Sequence, residues 1–281
     1  KMDIAVVGGA GFIGTNLVKK LIDLKHNVIV IDNYVSGNKR NHIEGAYYFD
    51  SDCRKIEYLL IPHNIDVVFH LGEYSKIVPS FEGIADIVET NMYSTSKVIE
   101  YCRKYKIKLI YAGSSTKYSE DGANSSPYAF SKAKNTELIK NYGEWFGLKY
   151  SICYFYNNYG PYQDSCNDGW ETVISIFEKL KRKGLPLSIV SPGTQRRNYT
   201  HVEDTVEGLI AAWKREENDE YQLGSSESFS MFELADLFEC EYNFLPARPG
   251  DRMDSHSDLE DTYKKLNWKP KHKLKNWINE I

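Results

Sequence analysis

Short apolar runs alternate along the chain with longer stretches whose apolar residues recur every three or four positions. "DIAVVGG" (3–9) is apolar and closes on glycines, the pattern of a buried strand followed by a sharp turn. In "FIGTNLVKKLIDLK", Ile13, Leu17, Leu21 and Leu24 fall at helical spacing. "NVIVID" (27–32), "AYYF" (46–49) and "DVVFHL" (66–71) are further strand-like runs. A long helical pattern, "IVETNMYSTSKVIEYCRKY" (87–105), leads into the strand "KLIYA" (108–112). Another helix, "YAFSKAKNTELIKNYGEWFG" (128–147), precedes the strand "KYSICYFY" (149–156). Strands alternating with helices imply right-handed βαβ units, hence an α/β fold with a doubly wound parallel sheet.

After about residue 157 the texture changes. Turn clusters such as "NNYGPYQDSCNDG", "SPGTQRRN" and "LPARPGDRMD" separate shorter helical patterns, of which "ETVISIFEKLKRKG" and "SMFELADLFE" are the clearest. The expected division is a first domain over 1–157, built on the parallel sheet, and a smaller, irregular second domain over 158–281. Chain around 195–215 is expected to return to the first domain.

Composition narrows the function classes. With 281 residues, 42% hydrophobic and 26% charged, the chain has the balance of a folded protein. A net charge of −4 gives no broad basic surface for nucleic acid or an anionic membrane. No apolar run approaches the roughly 18 residues of a spanning helix, and no signal-peptide pattern opens the sequence. The five cysteines are widely spaced and form no C-x-x-C, so neither a disulfide framework nor a metal site is expected. These readings fit a soluble protein of a reducing, cytoplasmic compartment.

"VVGGAGFIG" carries glycines at 8, 9, 11 and 14 between a strand and a helix. Such glycines permit a tight turn, close approach of backbone to a pyrophosphate, and close helix–sheet packing. The helix beyond offers free N–H groups and the positive end of its dipole to the anion. No Lys-Ser/Thr pair follows, which disfavours a nucleoside-triphosphate loop. Asp32 ends the second strand, where a carboxylate accepts hydrogen bonds from the adenosine ribose hydroxyls and repels a 2′-phosphate. NAD is therefore favoured over NADP, with Lys39 and Arg40 further along the loop as possible counter-arguments.

In "SPYAFSK" (126–132), Tyr128 and Lys132 stand four apart and share a helix face. A free tyrosine ionises only near pH ~10, and a neighbouring ammonium together with the positive ring of oxidised cofactor favours the phenolate. Such a phenolate takes the proton from a sugar hydroxyl as hydride leaves the same carbon for the cofactor. Ser114, Ser115 and Thr116, at the end of the strand "KLIYA", are each candidates to hydrogen-bond the reacting oxygen.

The glycine turn, Asp32-Asn33, "HLGEYS", "SSTKYS" and the Tyr128/Lys132 pair resemble the extended short-chain dehydrogenase/reductase family, in its nucleotide-sugar epimerase/dehydratase branch. "FYNNYGP", "RRNYTHVED", "RPGD" and "SDLEDTYKKLNWKP" extend the resemblance through nearly the whole chain. It implies a Rossmann sheet with a smaller C-terminal α/β substrate domain, NAD as cofactor, a nucleotide-diphosphate sugar as substrate, and a homodimer paired through helices 84–105 and 128–146. It places Gly8, Gly11, Phe12, Ile13, Gly14, Asp32, Asn33, Asp52, Cys53, Leu71, Gly72, Ser75 and Asn91 at the cofactor, Asn91 opening its helix. Tyr128 and Lys132 would also touch the cofactor, and Ser114, Tyr128 and Lys132 would be catalytic. Asn157, Arg197, Arg248 and Asp251 would join Ser114 and Tyr128 at the substrate, while His70 and His201 are read as structural.

Departures from the branch's pattern select the reaction. Aligned on Tyr118, Ser114 takes the active-site position, and Ser115 and Thr116 stand where related 4,6-dehydratases carry Asp-Glu and decarboxylases usually keep the Glu. Without those carboxylates the simplest chemistry is transient oxidation at sugar C4, as in the 4-epimerases that act on UDP-glucose. A 4-keto reductase and a non-catalytic dinucleotide- or sugar-binding protein are the alternatives. The interval from Ser114 to Tyr128 is shorter than the family norm, which leaves the identity of the sugar open.

Overall fold

The computed structural model describes every residue except 119–121, 168, 250, 252 and 254–257, so the shortened segment between Ser114 and Tyr128 lies partly outside the described residues. Six strands form at the expected runs: β1 (Asp3–Val7), β2 (Asn27–Asp32), β3 (Ala46–Asp50), β4 (Val67–His70), β5 (Lys108–Ser114) and β6 (Tyr150–Phe155). They make one parallel sheet in the order β6-β5-β4-β1-β2-β3. A seventh strand, Asp219–Leu223, joins outside β6 as the edge.

The central strands are apolar on both faces because helices cover both. Phe12–Asp23 packs with Val202–Trp213 on one side of the sheet, and Ser94–Tyr105 with Pro127–Phe146 on the other. Ile4, Val6, Val30, Val67 and Leu109 are fully buried between them. Parallel register aligns the strand ends: Val7 pairs with both Ile31 and His70, His70 with Tyr111, and Ser114 with Phe155. Strand order reverses at β1, which opens a crevice beyond the carboxyl ends of β1 and β4.

The long helical pattern begins at Ile84 and runs to Tyr105 through a π-helical segment, Val88–Tyr93. Asn91 lies inside that segment and does not open the helix. A second buried cluster gathers Tyr159, Ile174, Phe177, Leu187, Tyr199, Leu234, Phe238 and Leu274. Around it lie three two-stranded pairings, including the parallel pair Leu187–Val190 and Tyr242–Leu245. All five cysteines are free. Among the described residues, no helix is long and apolar enough to cross a membrane.

The edge strand is tied to the turn after β5 by charge. Lys117 Nζ donates to Glu220 Oε1 at 2.9 Å, and Lys140 Nζ lies 2.6 Å from Oε2. The Tyr154 hydroxyl also donates to Glu220. Burial works against the Glu220 charge, yet the bonds from Lys140, Tyr154 and Lys117 hold its carboxyl down at about 2. A carboxyl whose folded value lies below its ordinary 4.5 stabilises the protein fully above that pH and loses the contribution as pH falls toward 2. Glu220→Gln should therefore flatten the acid side of the Tm–pH curve between those two values, and thermal melts across that window test it; an unchanged slope would remove Glu220 from the stabilising network.

Candidate active site

A cavity of 420 Å³ opens at the carboxyl ends of the strands. Its floor is the glycine turn. Gly8 has φ +83°, and a Cβ there would stand 2.7 Å from Gly72 Cα. A Cβ on Gly14 would stand 2.0 Å from the Gly8 carbonyl oxygen. Gly11 caps the helix Phe12–Asp23 without any side-chain bond; the Phe12 N–H meets the Cys166 sulfur, and the next N–H groups of the first turn point to where an anion would sit.

At the far end of β2, Asp32 is 8% exposed. Its Oδ2 accepts the Ala10 N–H at 2.9 Å and its Oδ1 the Tyr34 N–H at 2.8 Å. Burial pushes this carboxyl up and the two amide bonds draw it back. Each oxygen keeps a lone pair for a hydroxyl donor. Lys39 is 2.6 Å from Asp50 and lies over the Tyr34 ring, so its charge is already engaged. Asp52 caps the turn Cys53–Lys55 through the Arg54 N–H at 2.8 Å. Burial pushes the neighbouring Cys53 thiol up to about 12, leaving it an inert wall. Asn33, Leu71, Gly72 and Ser75 complete this side of the cavity.

Ser126 and Pro127 start the helix that carries the Tyr–Lys pair. The Ser126 hydroxyl accepts the Ala129 N–H at 3.0 Å, and Pro127 occupies the first helical position. Tyr128 thus sits in the first turn with Lys132 one turn on, and both line the cavity together with Ser114. The Lys132 side chain is 8% exposed. Its ammonium donates to the Ala112 carbonyl, lies 4.8 Å from the Tyr111 ring centre, and is 3.6 Å from Glu73 Oε2. Ser114 Oγ is 2.9 Å from Thr116 Oγ1, and Ser115 and Thr116 also reach the wall.

The remaining candidates divide. Asn157 lines the cavity with φ +34° and donates from Nδ2 to the Asn198 carbonyl at 2.9 Å. Asn91 is fully buried behind the wall, where Oδ1 accepts the Tyr74 N–H at 2.7 Å and Nδ2 donates to Ser131 Oγ at 3.1 Å. Arg197 and Asp251 meet each other at 2.6 Å, and Arg248 is exposed; none of these three lines the cavity. Two charged wall residues were not among the candidates. Lys76 donates to the Glu171 carbonyl at 2.7 Å, and no carboxylate of the described residues lies within 4.0 Å of its nitrogen. Glu73 is the other; an acidic residue in the turn just after β4 was its only signal in the sequence. His201, Glu203 and His272 gather potential metal-ligand atoms away from the cavity, but the two imidazoles stack 4.1 Å apart and His201 Nδ1 already accepts the Glu203 N–H.

A glycine cradle closed to any Cβ, an uncapped helix start and a buried carboxylate with free lone pairs fit the pyrophosphate and ribose of a dinucleotide. Together with the doubly wound sheet they define a dinucleotide-dependent enzyme class. Residues 4–224 match the NAD dependent epimerase/dehydratase family, and the chain belongs to it, with NAD as cofactor. A putative UDP-glucose 4-epimerase of Methanocaldococcus jannaschii is 31% identical, covering 99% of this chain and 96% of that protein. UDP-glucuronic acid decarboxylase 1 of Arabidopsis thaliana is 27% identical over 98% of this chain and 68% of its own length. The crystal structure of UDP-glucose 4-epimerase from Thermotoga maritima with UDP-glucose superposes with a TM-score of 0.92 at 28% identity, covering 99% and 96% of the two chains.

Gly14→Ala should weaken NAD binding by at least tenfold while the sheet still forms, because the added methyl strikes the Gly8 carbonyl. Calorimetric titration with NAD beside far-ultraviolet circular dichroism measures both; undiminished affinity would move the pyrophosphate away from this turn.

Proposed function

We propose that the chain is an NAD-dependent nucleotide-sugar 4-epimerase, with UDP-glucose and UDP-galactose as the first substrates to test. The observation that carries this reading is a single cavity wall bearing Ser114, Tyr128 and Lys132, with hydroxyl side chains alone at 115 and 116. Bound NAD supplies the acceptor and donor of hydride. Tyr128, as phenolate, takes the proton of the sugar hydroxyl and returns it, favoured by the Lys132 charge. Ser114 holds the reacting oxygen. No carboxylate at 115 or 116 is available to expel water from the sugar, so oxidation is followed by return and not by elimination. In this reading residues 1–157 hold the dinucleotide and 158–281 the nucleotide sugar. Asn157, Arg248 and an Arg197 released from Asp251 face the diphosphate, where planar guanidinium donors suit the anion. The five free thiols are consistent with a reducing, cytoplasmic setting.

A decarboxylase is the second reading, and Lys76 bears on it by suiting an anionic sugar. Burial draws this ammonium down, the Glu171 charge offsets part of that, and an anionic sugar such as a uronate would supply a direct ion-pair partner. A C4 ketone lies β to a C6 carboxylate, so oxidation of a uronate prepares loss of carbon dioxide.

Incubation with UDP-glucose, UDP-galactose and UDP-glucuronate separates these outcomes by chromatography. Interconverted stereoisomers with no net growth of the reduced-nicotinamide band support the epimerase, and carbon dioxide release supports the decarboxylase. Tyr128→Phe should lower turnover about 10²–10⁴-fold while NAD affinity stays within a few-fold; undiminished turnover would assign the base elsewhere.

We also propose a homodimer. Ile84, Val88 and Tyr93 on one helical run and Phe130 on the next are 43–55% exposed, an apolar set on the two elements expected to pair across a two-fold axis. Sedimentation at micromolar concentration should give twice the chain mass, and Val88→Glu should shift it toward the monomer; a monomeric wild type would refute this pairing.

A further inference from the structure

Glu73 stands one residue past Gly72 in the cavity wall, yet its side chain is only 3% exposed. Every described neighbour of its carboxylate is a donor. Thr95 Oγ1 donates to Oε1 at 3.1 Å, Asn135 Nδ2 to Oε2 at 3.3 Å, and the Tyr111 hydroxyl bonds the same group. Lys132 Nζ is 3.6 Å from Oε2. His70 Nε2 lies 2.7 Å from Thr95 Oγ1. Because the threonine proton is directed at Glu73, the imidazole must donate from Nε2, which leaves the buried Nδ1 as a bare acceptor without a partner among the described residues. Burial holds His70 down at about 3, so it is neutral and Lys132 is the cation of the cluster.

An ionised carboxylate only accepts hydrogen bonds, and it satisfies this set of donors; a protonated one would bring a donor into a ring of donors. Burial pushes Glu73 up, while Lys132, Tyr111 and Thr95 draw it back. For stability alone a buried ion pair adds little over an apolar filling.

We propose that Glu73 is a positioning residue: a buried counter-ion that fixes the Lys132 ammonium and sets the net charge presented to Tyr128. The inference rests on the reading of Tyr128 as the base. A lone ammonium would favour the phenolate strongly, and the Glu73–Lys132 pair moderates that field. Other titratable groups around the pair are His70 from β4, held neutral, and Tyr111 from β5, pushed far up by burial. Asp32, Asp52, Cys53 and Lys76 line the same cavity.

The test is an ultraviolet tyrosinate titration of the NAD-loaded protein, taking as the Tyr128 signal the component that Tyr128→Phe removes. Glu73→Gln deletes the negative charge and keeps the shape, so that component should move about one pH unit lower. Glu73→Asp, which keeps the charge, should leave it near the wild-type position, and Glu73→Ala should reproduce the Gln displacement should the Gln variant fail to fold. A component unmoved by both Gln and Ala overturns the role of Glu73 while leaving Tyr128 as base. A wild-type titration without any Tyr128-dependent component overturns the base assignment, and with it this inference.

Discussion

Two backbones meet with no side chain between them at the carboxyl ends of β1 and β4. A Cβ on Gly8 would fall 2.7 Å from Gly72 Cα, and one on Gly72 would fall 2.7 Å from Val7 Cγ1. This close approach, possible only for glycine on both sides, sets the depth of the crevice at the point where strand order reverses. From it follow the direction of the helix Phe12–Asp23, the reach of Asp32 into the cavity, and the level at which Ser114 emerges from β5. A bulkier turn would lift the helix start away from the sheet and separate the anion cradle from the Tyr–Lys helix.

The chemistry laid over that crevice joins hydroxyl groups to charges that are mostly engaged by the protein itself. Hydroxyl groups line one part of the wall, and the Lys132 ammonium is held by a carbonyl, an aromatic face and one carboxylate. Such a wall is suited to moving a proton on and off a sugar oxygen, since each contact survives a change of hydroxyl to carbonyl. In the proposed reading no elimination follows, since that step requires an acid and a base on different atoms of the substrate.

The central sheet was legible because buried parallel strands announce themselves as short apolar runs. The edge strand Asp219–Leu223 was not, because it has one neighbour and alternates charge with burial, so "DEYQL" carries no such run. Glycine turn, Asp32 and the Tyr128/Lys132 pair were legible because each is a local pattern joined to an element boundary. Arg197 meeting Asp251, 54 residues away, is a tertiary event that spacing does not encode. Asn91 illustrates another limit: its π-helical segment turns the side chain toward the Tyr74 backbone, a geometry that a regular period of 3.6 does not anticipate. Glu73 was hidden for a different reason, since its partners come from three separate elements.

Fold and cofactor therefore leave the reaction open, and a few side chains select it. Once C4 is a ketone, the fate of the intermediate depends on what the sugar carries and on what the wall can protonate. In the proposed reading, hydroxyls at 114, 115 and 116 offer hydrogen bonds and no carboxylate, and a neutral sugar leaves by return of hydride to either face. A uronate has a second exit, in which its carboxylate leaves as carbon dioxide from the β-keto position and the resulting enolate takes a proton at C5 before hydride returns. Lys76 bears on that choice. An ammonium holding a uronate carboxylate stabilises it as an anion and opposes the spread of its electrons into the ketone, whereas beside a neutral sugar the same ammonium only donates a hydrogen bond. Lys76 therefore bears on which sugar binds, and the exit that the ketone takes is set by the groups around C4 and C5.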